Sequence, residues 1–367
     1  MRMDLKKKSK PKIVISGYYG FNNAGDEAIL LAMLTSMRKF LPGADFAVIS
    51  GNPANTAITY DVKSIHRFHL WKILSQIGTC SAFVSGGGSL LQDVTSKRSL
   101  LYYLALIFLA KILGRPVMLY AQGVGPISSS FMRWLTGKVL AKVEFITVRD
   151  RESLDFLIAL GLSPEHVKVT ADAVFMLPES TLDDGRILLG RSGLTGDIDV
   201  VGVAVRSWSN DKYLGALVDA LDVLADQGKQ ICIVPFQYPA DMAVSKKLQR
   251  ALRHPAKILD RVCSTEELLS VIGNFSLLIG MRLHSLIFAS VMKVPFVALE
   301  YDPKVESFVK KLDASSAGRI EKLTTEKILQ AVQRAYDYEI DLSELQTAAV
   351  ENNKLLGAMV ERRLLSC

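Results

Sequence analysis

No run of apolar residues in this chain is long enough to cross a bilayer: the longest, Leu100 to Ala110, is about half of the ~20 residues a spanning helix needs. It reads as a buried helix, with an interfacial helix as the alternative. Cysteine is scarce. The four present, Cys80, Cys232, Cys263 and Cys367, are far apart and form neither a CxxC pair nor a zinc-like spacing, which excludes a disulfide scaffold and fits a reducing compartment. The five histidines make no cluster with carboxylates, so no metal is expected. Asp197-Ile198-Asp199 matches a DxD pattern only formally and reads as a turn. GxSxG, HExxH and the kinase motifs are absent. After the basic start, the apolar stretch Ile13 to Ile15 is too short for the core of a signal peptide, so a cytoplasmic protein is expected.

Against these absences stands an ordinary globular composition, 49% hydrophobic and 22% charged. A chain of 367 residues is expected to divide into two domains. The net charge of +7 is concentrated at the start, at Arg2, Lys6, Lys7, Lys8, Lys10 and Lys12, and the remainder is nearly balanced. Basic residues are not seen spread over a face and interleaved with aromatics, so nucleic acid is not an expected partner. The basic arm, residues 1–11, reads as a solvated tail, with peripheral contact to anionic lipid at the inner face of the membrane as the sharper alternative.

Short apolar strands alternate with helical stretches along both halves. In the first half the strands are KIVIS at 12–16, DFAVIS at 45–50, AFVSGG at 82–87, PVMLYAQG at 116–123, EFITVRD at 144–150 and VKVTADAVF from residue 167. Alternation restarts with DVVGVAVR at 199–206, QICIVPF at 230–236, KILD at 257–260, FSLLIG at 275–280 and PFVALE at 295–300. Continuous apolar strands between helices indicate parallel sheets covered on both faces. The expected architecture is therefore α/β, with two doubly wound, Rossmann-like domains at 12–180 and 199–324 facing a cleft. A linker is expected at 181–198, where the periodicity dissolves, and C-terminal helices at 325–367.

Ligands of such sheets bind outside the carboxyl ends of the strands, and the chain's motifs fall there. GYYGFNNAGDE at 17–27 follows the first strand; Asn22 and Asn23 tolerate a tight turn, and Asp26 occupies a helix N-cap position from which it could also face a ligand. SGGGSLLQD at 85–93 reads as a glycine turn at a helix start, with Gly86, Gly87 and Gly88 cradling an anion. AQGVGP at 121–126 carries Gln122 in a further glycine turn, without a complete dinucleotide fingerprint. Arg149 ends a strand in TVRDRES, where a guanidinium can grip a carboxylate or phosphate; its neighbours read as a solvated helix start. In LIGMRLHSLIFAS at 278–290, Arg282 and His284 stand on a turn between a buried strand and an apolar helix, an expensive place for charge unless it meets an anion.

Taken in this order and at these separations, GYYGFNNAGDEAIL, SGGGSLLQD, AQGVGP, TVRDRES and GMRLHSLIFA resemble the polysaccharide pyruvyl transferase family, and within it the CsaB enzymes of bacterial cell-surface polymer synthesis. The resemblance covers roughly residues 12 to 310. It implies the two-domain fold of GT-B glycosyltransferases, phosphoenolpyruvate as donor and co-substrate with no cofactor, and a lipid-linked glycan bearing N-acetylmannosamine as acceptor. The product would be a 4,6-linked pyruvate ketal. Family positions map onto Asp26, Arg149, Arg282, His284 and Lys304, with Leu283 lending a backbone N–H.

Phosphoenolpyruvate carries a carboxylate and a phosphate, matched to Arg149, Arg282 and Lys304. His284, the one histidine expected at a strand-end turn, would protonate C3, and Asp26 would accept the proton of the attacking hydroxyl, although the opposite assignment stays open. Two other readings keep the same residues: a nucleotide-sugar glycosyltransferase of GT-B fold, and a non-catalytic glycan-binding protein.

Overall fold

A computed structural model describes residues 10–94, 96–194 and 199–365. The chain divides into two compact units. Among the described residues, the first takes in the chain up to Phe21, Ile29–Met176 and the stretch from Leu345 to Leu365; the second holds Asn22–Ala28 and those between Leu177 and Glu344.

In the first part of the chain, β1 (Lys12–Ser16), α1 (Ala24–Phe40), β2 (Asp45–Ser50), α2 (Pro53–Tyr60), β3 (Lys63–His66), α3 (Leu70–Gly78) and β4 (Ala82–Ser85) follow one another. Then come β5 (Gly88–Leu91), α4 (Lys97–Ile112), β6 (Val117–Val124), α5 (Ser130–Leu140), β7 (Phe145–Val148), α6 (Arg151–Ala159) and β8 (Val167–Val169). The strands form one parallel sheet in the order β3-β2-β1-β4-β6-β7-β8, with β5 paired to β6 beyond the end of β4. Buried Val, Ile, Ala and Phe on successive positions of β1, β2 and β4 show why these strands read as unbroken apolar runs: helices cover both faces.

The second part runs through α7 (Asp183–Arg191), β9 (Val200–Ala204), α8 (Leu214–Asp226), β10 (Gln230–Ile233), α9 (Met242–Ala251), β11 (Ala256–Ile258) and α10 (Thr265–Gly273). It continues with β12 (Leu277–Gly280), α11 (Leu283–Val291), β13 (Phe296–Glu300), α12 (Pro303–Leu312), β14 (Ser316–Arg319), α13 (Thr325–Tyr336) and α14 (Ser343–Leu365). Its parallel sheet has the order β11-β10-β9-β12-β13-β14, in which the direction of winding reverses between β9 and β12. That reversal leaves a crevice at the strand carboxyl ends.

Three expectations need correction. The stretch taken as a linker, 181–198, contains α7, which belongs to the second unit: the Gly185 N–H donates to Ser270 Oγ at 2.7 Å. A Cβ on Gly185 would strike the Ser270 backbone, so this glycine marks a close helix contact rather than a loose tether. The C-terminal helices are not one piece. The buried Ile328, Ala331, Val332 and Ala335 of α13 join the second core, whereas α14 from Leu345 belongs to the first unit. Last, the strand beginning at residue 167 ends at Val169, and Ala173–Met176 is a short 3-10 turn because the Asp172 carboxylate takes the Val174 N–H at 3.2 Å. The basic arm up to Ser9, Asp197 and Ile198 of the DxD pattern, and Cys367 lie outside the described residues; Asp199 pairs with Lys229.

Two buried asparagines tie α14 down. Asn353 donates to Ser36 Oγ at 2.6 Å and accepts from the Tyr120 hydroxyl at 3.0 Å, while Asn352 accepts from Thr170 Oγ1 at 3.0 Å. Exchange of Asn353 for alanine leaves both partners buried without it, and is expected to lower stability by about 2–3 kcal/mol in urea unfolding. A change below ~0.5 kcal/mol would mean that the apolar face of the helix alone docks it.

Candidate functional site

The reversal point of the second sheet is built from two arginines in register. β9 and β12 pair in parallel with Ala204 opposite Gly280, and the Met281 N–H continues the ladder to the Ala204 carbonyl at 2.9 Å. Arg206 and Arg282 each lie two residues beyond that matched pair, at the carboxyl ends of strands about 5 Å apart. Arg206 donates to the Tyr301 hydroxyl at 3.1 Å and lies over the Tyr301 and Trp208 rings, at 5.0 and 5.7 Å. Its carbonyl accepts from Tyr213, whose phenol is pushed up by burial and by Asp211 and Asp241, and so stays a neutral donor.

Arg282 is held from the other side. Its Nη2 forms an ion pair with Asp241, which is only 2% exposed, and reaches Gln237 Oε1 at 3.3 Å. Asp241 in turn accepts the Gln237 N–H at 2.9 Å. Both arginines keep a buried Nε–H with no hydrogen-bond partner among the described residues. Two such donors beside a sheet crevice suit an oxyanion.

Arg282 is also the N-cap of α11, and no side chain caps that helix. The Ser285 and Leu286 N–H groups turn back to the Arg282 carbonyl. Leu283 and His284, in the first turn, have no intrahelical acceptor, so their N–H groups lie at the positive end of the helix beside the arginines.

His284 meets the first turn of α1, which belongs to the same unit. The Ala24 N–H donates to the Phe236 carbonyl at 2.8 Å, Asn23 makes an antiparallel bridge with Gln237, and the Tyr238 N–H donates to the Asn22 carbonyl at 3.2 Å. These bonds seat Gly25 so close to His284 that any Cβ there would collide with the ring at Nδ1. Asp26, the next residue, therefore sits one position from the imidazole contact. It is not the N-cap: α1 starts at Ala24, and Asn23 caps it by accepting the Gly25 N–H at 3.1 Å. Asp26 occupies the third helical position, relieved of capping. Lys304 lies in the first turn of α12, where its N–H donates to the N-cap carboxylate of Asp302 at 2.9 Å.

The structure thus brings Asp26, Arg282, Leu283 and His284 together in the second unit, and adds Arg206, Gln237, Asp241 and Tyr301, which sequence reasoning missed. Arg206 was detectable, since it follows an apolar strand as Arg149 does. His284 is not alone among histidines in standing at a strand end, because His66 closes β3.

Of the remaining candidates, Arg149, Gly86, Gly87, Gly88 and Gln122 belong to the first unit, and Asn22 and Asn23 to the second. Arg149 is buried and already compensated: it pairs with Asp172 at 2.8 Å, approaches Asp150 at 3.6 Å and donates to Ser89 Oγ at 3.0 Å. Gly123 gives it room, since a Cβ there would come within 3.1 Å of its Nε. The anion cradle expected at Gly86, Gly87 and Gly88 is not formed. The Gly86 N–H donates to the Ser16 carbonyl at 2.7 Å, and Gly88 opens β5 instead of a helix, the next helix starting only at Lys97. Close packing explains these glycines, because a Cβ on Gly86 would strike the Tyr19 hydroxyl and one on Gly87 would press Ile29. Gln122 cannot meet an acceptor from its place: it is wholly buried, and its amide donates to Ser85 Oγ at 2.8 Å and the Gly86 carbonyl at 2.7 Å. Of the expected acceptor residues, Asn23 has its side-chain oxygen engaged in capping, whereas Asn22 is exposed at φ 53° in the turn.

Two doubly wound units with a ligand-suited sheet end define a GT-B-like α/β protein, and comparison with solved structures agrees. The chain is similar to Anabaena HepE in complex with UDP-glucose (TM-score 0.62, 13% identity, 97% of this chain and 98% of that one). It is also similar to the UDP-GlcNAc 2-epimerase of Methanocaldococcus jannaschii (0.63, 14%, 95% and 99%) and to the E. coli ADP-heptose heptosyltransferase II (0.53, 12%, 89% and 98%). At such identities the likeness concerns the fold. Residues 23–303 match the family model of polysaccharide pyruvyl transferases, and the chain belongs to that family. The amylovoran biosynthesis protein AmsJ of Erwinia amylovora is 23% identical over 318 residues, 81% of this chain and 75% of AmsJ. The protein is accordingly an enzyme of pyruvyl transfer in polysaccharide synthesis, which takes the glycan-binding alternative away.

Proposed function

We propose that the enzyme transfers the pyruvyl group of phosphoenolpyruvate to an N-acetylmannosamine residue of a lipid-linked cell-wall glycan precursor, closing a 4,6-ketal and releasing phosphate. The observation that carries the donor assignment is the twin-arginine crevice. Arg206 and Arg282 each offer a buried Nε–H beside the N-terminal end of α11, which no side chain caps, a donor set matched to a small, densely charged anion. Lys304 adds charge from the next strand end. Arg149 is kept as a donor-binding residue on the family resemblance alone.

His284 gives a proton to C3 of the enol, which becomes a methyl group and leaves cationic character at C2. One sugar hydroxyl attacks C2 while Asp26 takes its proton. The C2–O bond to phosphate then breaks, the electron pair leaving with phosphate, and the second hydroxyl attacks C2 and loses its proton to complete the ketal. One proton enters the methyl and two leave the hydroxyls, the surplus going to phosphate and solvent. The AmsJ relative, whose name assigns it to amylovoran synthesis, supports a polysaccharide substrate.

Phosphoenolpyruvate is expected to raise the melting temperature, with millimolar UDP-glucose and UDP-N-acetylglucosamine giving no comparable shift. A shift with a nucleotide sugar alone would move the assignment to glycosyl transfer. Turnover is also expected to persist in excess EDTA, since side-chain cations supply the charge; complete loss on chelation with recovery in magnesium would contradict that.

A further inference from the structure

The outer side of α4 departs from what a sheet-covering helix normally shows. Beyond its basic first turn, where Lys97 and Arg98 are exposed, its exposed positions are Leu101, Ala105, Phe108 and Ile112, a single apolar stripe at i, i+4, i+7 and i+11. Ile112 is 65% exposed. The neighbouring helices extend the stripe. α5 exposes Phe131 and Trp134, whose rings lie 5.9 Å apart, and the segment opening α3 exposes Phe68, Leu70 and Trp71, the last at 77%. Phe68 packs edge-on against Tyr102 of α4, 6.4 Å between centroids, and the Lys142 ammonium lies 5.8 Å from the Phe108 ring, so the three helices share a continuous surface.

The charges borne by these three helices have one sign. α3, α4 and α5 together carry Lys72, Lys97, Arg98, Lys111, Arg133 and Lys138 and no acidic residue. Lys111 is paired with Glu144; Lys72, Arg98, Arg133 and Lys138 are exposed. From Val62 to Val143 the only carboxylate is Asp93, which is engaged by the N–H groups of Ser128 and Ser129.

We propose that this face of the first unit docks on an anionic lipid bilayer, with Trp71, Phe108, Phe131 and Trp134 entering the headgroup boundary and the lysines and arginines contacting lipid phosphates. Exposed Trp and Phe with basic residues between them form the pattern of an interfacial helix surface. The charge argues against a second copy as the occupant, since two such faces would bring like charge together in a low-dielectric contact. The proposal rests on the reading of the acceptor as lipid-linked only for its purpose; the surface itself is read from exposure and charge.

The test uses the full chain and its Phe108→Glu/Trp134→Glu variant, both exposed positions, in flotation with vesicles of phosphatidylglycerol and phosphatidylcholine and with pure phosphatidylcholine. The parent is expected to float with the anionic vesicles and the variant to bind at least about tenfold more weakly, with an unchanged melting temperature. Turnover of a short water-soluble acceptor should be the same for both, so failure of pyruvyl transfer and failure of docking are separate results. Equal flotation of parent and variant overturns the proposal. So does a parent that stays in solution with anionic vesicles and is a dimer by light scattering where the variant is a monomer, which would assign the face to self-association.

Discussion

Exchange of His284 for glutamine is expected to reduce turnover by about 10²–10⁴-fold with little change in phosphoenolpyruvate affinity, since an amide of similar size keeps the packing and loses the transferable proton. The expectation rests on where the ring is held, on the first turn of α11 and against Gly25. Exchange of Gly25 for alanine should produce a comparable loss without removing any functional group, because the new Cβ must displace the imidazole. Steady-state kinetics with phosphate release as readout check both. A His284→Gln enzyme within about threefold of the parent would remove the histidine from the chemistry, and the proton donor would have to be sought elsewhere.

Arg282 should behave differently. Viewed from the sequence, it is a donor-binding residue whose removal costs affinity and spares the fold. In the structure it also neutralises Asp241, which is nearly inaccessible to water. Exchange of Arg282 for alanine leaves that carboxylate buried and alone, so a stability loss of about 3–5 kcal/mol is expected on top of the lost donor affinity. The double variant Arg282→Gln/Asp241→Asn replaces the ion pair by two amides and should recover much of the stability while still failing to bind phosphoenolpyruvate. Melting curves with and without the ligand separate the two effects. Ligand-induced stabilisation of the double variant equal to that of the parent would place the donor away from this crevice.

What the sequence made legible was governed by local rules. Strands such as KIVIS and DFAVIS are apolar at successive positions, which only a doubly covered sheet explains, and LIGMRLHS shows charge where an apolar strand meets an apolar helix. Contacts between distant segments were not legible. The return of α14 to the first unit depends on Asn352 and Asn353, polar residues that look like surface positions until Thr170 and Tyr120 are placed beside them. Asp241 resembles an ordinary helix-start acid, and only the fold brings Arg282 to it.

The glycine motifs divided for a related reason. A glycine can signal room for a ligand or room for a protein side chain, and the sequence does not distinguish these uses. At Gly86 and Gly87 the occupants are Tyr19 and Ile29; at Gly123 the occupant is Arg149, and at Gly25 it is His284. A nearly balanced charge outside the N-terminal arm likewise concealed the basic, aromatic surface of α3 to α5, because the compensating acids lie in other parts of the chain.

The most direct measurement is the reaction of the full chain with phosphoenolpyruvate and an N-acetylmannosamine-bearing acceptor in deuterium oxide, followed by proton and phosphorus NMR. Protonation of C3 by an exchangeable acid predicts one orthophosphate per ketal formed and a ketal methyl carrying a single deuteron, with O4 and O6 of the same sugar as its attachment points. Phosphoenolpyruvate left intact beside an unmodified acceptor, or a ketal methyl free of deuterium, would contradict the account.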